Sequence, residues 1–198
     1  MPFLDRWIDL SDRMARIAIW IGGSLVLASA FLVSVDVLLR KLFLVSFGGA
    51  DELSGYAFAI GTTWALSFTL LRRANVRVDA LYAHLPRALR GVLDLVALLA
   101  LGGFVALLTW HAWSALDTSL AFDARATTPL ATPLWIPQSL WLAGFALFMF
   151  TIIPLVIRTA LALVSGDLGT VRRLAGARTI EEDAADEIAH TAELRREG

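Results

Sequence analysis

Cysteine is absent from the 198 residues, which excludes disulfides, thiolate zinc sites and cysteine-held iron–sulfur clusters. Charge is scarce as well: Asp, Glu, Lys and Arg make up 18% of the chain, against about 25% in an ordinary soluble domain. With a formal net charge of −1 there is no concentrated basic face to displace counterions from a nucleic acid, so nucleic acid is not expected as a partner. Three histidines are present, without metal-ligand spacing, a Ser-His-Asp arrangement or a phosphate loop. No catalytic residue, metal or cofactor is therefore expected. What abounds is apolar surface, with 58% hydrophobic residues and a mean hydropathy of +0.69. A core of this size cannot hide so much, and the charges cluster between long apolar runs, so a phospholipid bilayer is the expected solvent.

A helix crosses the hydrocarbon core with about 20 mostly apolar residues, and windows at about 17–39, 53–71, 89–113 and 135–164 meet that demand. The pattern predicts an all-α integral membrane protein of four transmembrane helices. Lys and Arg near span ends mark the cytoplasmic side. Arg6, Arg13 and Arg16 precede the first window, Arg72, Arg73, Arg77, Arg87 and Arg90 separate the second from the third, and Arg172, Arg173 and Arg178 follow the fourth. The intervening hairpins hold Arg40, Lys41 and Arg125. Both termini are thus expected in the cytoplasm. The run after Arg16 stays apolar to Leu39, longer than the hydrophobic part of a cleaved leader, which favours a retained span.

Before the first window, Phe3, Leu4, Trp7, Ile8 and Met14 alternate with Asp5, Arg6, Asp9, Asp12 and Arg13, the pattern of a short amphipathic helix lying on the membrane surface. Pro129, Pro133 and Pro137 exclude regular helix throughout the second hairpin and predict an ordered, extended cap. From 166 to 198 the chain is polar, with Thr179 and Glu182 at capping-box spacing, and reads as a cytoplasmic tail behind a transmembrane domain over 1–165.

Asp36 lies inside the first window with Arg40 four residues on, a spacing that pairs them on one helix face. Asp51 and Glu52 open the second window, where carboxylates complement a helix N-terminus and could equally reach a partner subunit. Gly55, Ala59, Gly61 and Ala65 give that helix small-residue faces for close packing. A haem-carrying anchor of an oxidoreductase is the competing class. However, His84 and His111 would stand about 40 Å apart along a continuous helix and could not share one haem. A self-sufficient transporter would show interrupted helices in matching halves, and only Pro154 interrupts a window. The residues alone describe an accessory or scaffolding membrane subunit.

Several motifs taken in order resemble the small permease (Q, DctQ-like) subunits of tripartite ATP-independent periplasmic, or TRAP, transporters. Asp36 with Leu39-Arg40, and then Asp51-Glu52-Leu53, look like that family's Asp, Leu-Arg and Glu-Glu-Leu positions. Arg72-Arg73-Ala74-Asn75-Val76-Arg77-Val78-Asp79 is similar to its basic-Gly-His-Ile-Arg-Val-Asp segment, with Ala74-Asn75 in place of Gly-His. Leu134-Trp135-Ile136-Pro137, followed by Gly144-Phe145, resembles its Pro-Leu-Trp-Ile-Pro and Gly-Phe. The resemblance implies a multi-pass subunit of the bacterial inner membrane, partnered by a large (M) permease and a periplasmic solute-binding (P) protein. Such a complex takes up an organic acid such as a C4-dicarboxylate, driven by sodium. The residue pattern and the resemblance together nominate Asp36, Arg40, Asp51, Glu52, Gly61, Arg72, Arg73, Arg77, Asp79, Trp135 and Pro137 as partner-contact or structural residues.

Overall fold

Long uninterrupted stretches of good helix formers become four long helices in the computed structural model, which describes residues 2–46, 48–74 and 85–176. They are α1 (Pro2–Phe43), α2 (Ala50–Leu71), α3 (Arg87–Ala121) and α4 (Trp135–Val164), followed by a short α5 (Leu168–Ala175). Helix α2 lies between α1 and α4, α3 lies on the other flank of α4, and α5 packs across α3 and α4. One end of the bundle holds the two hairpins, 44–49 and 122–134. The other, the tail end, holds the start of α1, the end of α2 and α5.

The first difference from the sequence expectation lies in α1. The amphipathic segment is no separate surface helix but the opening turns of a single 42-residue helix, about 63 Å long at 1.5 Å per residue. No Gly or Pro falls between Phe3 and Ile21, so nothing breaks the backbone ladder where the polar residues stop. The face at Leu4, Ser11, Ala15 and Ala18 is buried and stays in helical phase with Gly22. That face is held to the bundle by Asp5 on Arg158 at 3.3 Å, Asp12 to Arg72 at 3.7 Å, and Trp7 against Phe150 with ring centroids 5.3 Å apart.

Three helices end in Schellman motifs. After α2, Ala74 N–H bonds Thr69 carbonyl at 3.0 Å and Arg73 takes φ +53. After α3, Ala124 N–H bonds Ser119 carbonyl at 2.9 Å with Asp123 at φ +45. After α4, Asp167 N–H bonds Ala162 carbonyl at 2.9 Å with Gly166 at φ +75. Pro137 falls within the first turn of α4, where its missing N–H is not needed, whereas Pro154 interrupts the helix itself.

The core centres on α4, where Phe145, Phe148, Ile152 and Leu155 meet Leu70 of α2 and Leu98 and Val105 of α3. Helices α1, α3 and α4 are long and apolar enough to cross a membrane; α2 is not among them. The segment expected to be a polar tail begins with a docked helix. Asp167 caps α5 by accepting from Thr170 N–H at 3.0 Å, and Val171 and Ala175 are buried.

Candidate functional site

The hairpin end gathers four of the residues singled out by sequence. Asp36, 1% exposed, accepts from Arg40 Nη2 at 2.5 Å, so the expected pair forms. Ser46, just past α1, extends it by donating to Asp36 Oδ1 at 2.9 Å, while its Oγ accepts from Gly48 N–H at 3.2 Å. A carboxylate lodged against an apolar helix bundle is tolerable because a charged donor and a hydroxyl share it. The same contacts fold the first hairpin back over α1, helped by Leu44 at φ +56 and Gly48 at φ +70.

Glu52, in the first turn of α2, ties the second hairpin to that helix. Tyr56 OH donates to Oε1 at 2.8 Å, and Thr128 Oγ1, 76 residues on, donates to Oε2. Glu52 precedes the window 53–71. The Thr128 hydroxyl above all holds its carboxyl below the ordinary value, against an opposing effect of burial and with further help from Thr132 and Tyr56. The hairpin over it is itself ordered: Ala126 N–H bonds Thr132 carbonyl and Leu134 N–H bonds Ala124 carbonyl, both at 3.0 Å. Leu130 presses so closely that a Cβ on Gly49 would lie 2.3 Å from its Cδ1. Between the hairpins lies a recess of about 270 Å³ lined by Arg40, Asp51, Glu52, Thr128, Pro129 and the Gly48–Ala50 backbone.

The remaining nominated residues lie elsewhere. Gly61 is where α1 and α2 cross backbone to backbone, the Cβ it lacks falling 2.9 Å from Gly22 carbonyl oxygen. Trp135 opens α4 half-exposed and Pro137 is buried in its first turn. At the tail end, Arg72 stacks over Phe68 at 5.0 Å, and Arg73 Nη1 donates to Arg172 carbonyl at 3.3 Å. Arg77 and Asp79 lie outside the described residues.

Sequence reasoning did not connect Ser46, Thr128 or Tyr56 to these carboxylates, and it passed over Trp64, whose Nε1 donates to Leu140 carbonyl at 2.8 Å between α2 and α4. Only Tyr56, four residues from Glu52, had a spacing that could have revealed it. Among the described residues no three His, Asp or Glu side chains gather to hold a metal ion. His111 is exposed on α3, His84 lies outside the described residues, and no observation favours an oxidoreductase anchor. The arrangement joins the two hairpins into one polar platform at this end of the bundle. The family model of tripartite ATP-independent periplasmic transporters, DctQ component, matches residues 29–162, from mid-α1 almost to the end of α4. Searches of curated proteins and of solved structures return no match.

Proposed function

Because this chain belongs to the DctQ component family of tripartite ATP-independent periplasmic transporters, we propose that it is the scaffold on which a large permease subunit performs sodium-driven uptake of an organic acid delivered by a periplasmic binding protein. The family is a transporter component rather than an enzyme, and its apolar helices suit a multi-pass protein of the inner membrane. In this reading all four long helices cross the bilayer, the hairpin end faces the periplasm, and the arginine-rich tail end with both termini faces the cytoplasm. A scaffold must not deform while its partner moves. The observation that carries the proposal is the pair of ties, Asp36–Arg40–Ser46 and Glu52–Thr128, that fasten both hairpins to the helices at one end.

The test is uptake of a labelled dicarboxylate into vesicles holding the large permease, supplied with binding protein and a sodium gradient, with and without this chain. Uptake should require the chain, and Glu52→Gln combined with Thr128→Val should lower both uptake and recovery of the large subunit on co-purification. Undiminished uptake without the chain would overturn the scaffold role. Unchanged recovery with the double variant would confine Glu52 to its own fold.

A further inference from the structure

The opening turns of α1 have two sides, and packing in the bundle uses only one. Ser11, Ala15 and Ala18, all small, are buried on the inner side. The large apolar residues turn outward: Phe3 is 71% exposed, Leu10 50%, Met14 42% and Ile17 61%. Phe3, Leu10 and Ile17 are seven residues apart and Met14 is one turn from Leu10, so on the continuous helix they form a single stripe. Arg6 and Arg13, also seven apart, stand one turn before Leu10 and Ile17 and border that stripe. Both are exposed. Arg16, Arg40, Arg72 and Arg158 all meet carboxylates. Among the described residues, by contrast, neither Arg6 nor Arg13 has an ion-pair or hydrogen-bond partner, and Asp9, spaced to pair with either, bonds neither.

We propose that this stripe lies in the lipid leaflet at the tail end, its apolar residues among the acyl chains close to their headgroups and Arg6 and Arg13 each on the phosphate of an anionic phospholipid. Depth supports the lipid. Asp5 meets Arg158 at 3.3 Å and Trp7 meets Phe150 with ring centroids 5.3 Å apart. These contacts set the opening turns beside the second half of α4, a helix apolar enough to cross a membrane, and not beyond its end at Val164. Charge supports it as well. Long arginine stems let two unpaired cations reach phosphate oxygens while the stripe stays among acyl chains, and each guanidinium can grip its phosphate with paired donors. A second copy packed on the same face would set Arg6 and Arg13 against their own like charges across the symmetry axis.

The test places the full chain, with Leu10→Cys carrying a fluorophore, in vesicles of equal parts phosphatidylcholine and phosphatidylglycerol, one lipid or the other brominated on the acyl chain next to its headgroup as a quencher. Both brominated lipids should quench the label, phosphatidylglycerol the more strongly. Each arginine should favour phosphatidylglycerol by up to about five-fold, and added salt should erode the preference. Arg6→Gln with Arg13→Gln should bring the two lipids close to parity while quenching itself persists. Arg6→Lys with Arg13→Lys, which keeps the charge and guards against a folding defect, should retain most of the preference. Absence of quenching by either lipid would put the stripe in water or under a protein and overturn the proposal. So would equal quenching by both lipids before the arginines are changed, or a preference that the Gln pair leaves intact.

Discussion

At the crossing of α1 and α2, replacing Gly61 by Ala sets two opposite effects against each other. Alanine is the better helix former by about 1 kcal/mol, so wherever space permits the change should stabilise. Space does not permit it at Gly61: the new Cβ would lie 2.6 Å from Val26 Cγ2 and 2.9 Å from Gly22 carbonyl oxygen. Val26 is β-branched and stiff in a helix, and the carbonyl belongs to a backbone that cannot step aside without moving α1. Overpacking of this kind costs about 1–3 kcal/mol, leaving a net loss of about 0–2 kcal/mol after the propensity gain. The informative comparison is therefore with Gly55→Ala in the same helix, where a Cβ meets nothing within 4 Å. Gly55→Ala should be neutral or raise the unfolding midpoint, and Gly61→Ala should fall about 1–3 kcal/mol below it when both are unfolded in the same detergent. Equal stability of the two variants would show that α1 and α2 do not approach as closely as the structure has them, and would remove the packing argument for α2.

Asp36→Asn should destabilise the chain by about 1–3 kcal/mol by removing the charged acceptor from Arg40 and Ser46 in a buried position, and an unchanged unfolding midpoint would refute that role. For Glu52 and Asp167 the folded carboxyl titrates below its ordinary value. Hydrogen bonding to Thr128 is the main cause at Glu52 and hydrogen bonding to Thr170 at Asp167. The stability each contributes is therefore fully present above the ordinary carboxylate range, near pH 4, and is lost as pH falls through the lowered value. Hydrogen-exchange protection of Ala126 and Leu134 N–H and of the start of α5 should hold through mild acid and fail only below that range; a loss near neutral pH would contradict the assignment. Single cysteines in the cysteine-free chain at Val45 and Ala74 should react with an impermeant maleimide from opposite faces of the membrane. Labelling of both from one face would mean that α2 does not cross.

How much of this was legible depends on whether the determinant was local. The window 135–164 coincides with α4, and 53–71 lacks only the first turn of α2, because apolar length and helical length end together there. The window 89–113 stops eight residues short of Ala121. Hydropathy measures what suits lipid, while the backbone ladder continues wherever helix formers and one buried face persist, and Leu116 and Ser119 continue the face of Val105 and Ala112. The same confusion separated the amphipathic opening of α1 from its continuation. The Asp36–Arg40 pair was readable because helical spacing encodes it, and Ser46 was not, because hairpin closure places it. Nothing in the sequence could join Glu52 to Thr128 across 76 residues. At the C-terminal side the reading rested on the polar character of 166–198 and on Thr179 and Glu182, and it passed over Asp167, the cap of α5. Helix α5 needs only Val171 and Ala175 inside, since Gly91 leaves room for Val171 on α3.

The low apolarity of α2 follows from its place between α1 and α4. A helix surrounded by lipid on most sides has to be apolar on most sides, whereas one flanked by protein can carry polar groups so long as they find partners. Those of α2 bond mostly to its own backbone: Thr62 donates to Phe58 carbonyl at 2.7 Å, Thr63 to Ile60 carbonyl at 3.0 Å and Thr69 to Leu66 carbonyl at 2.8 Å. The glycine and threonine that lower its hydropathy are also the residues that permit contact. Gly61 admits the α1 backbone, and Thr63 fits beside Gly144 of α4, where a Cβ would lie 2.5 Å from the threonine hydroxyl. Longer apolar side chains at these positions would raise the hydropathy of α2 and push both neighbours away. The composition that keeps α2 out of the apolar spans is thus also what lets it lie in close contact with both neighbours.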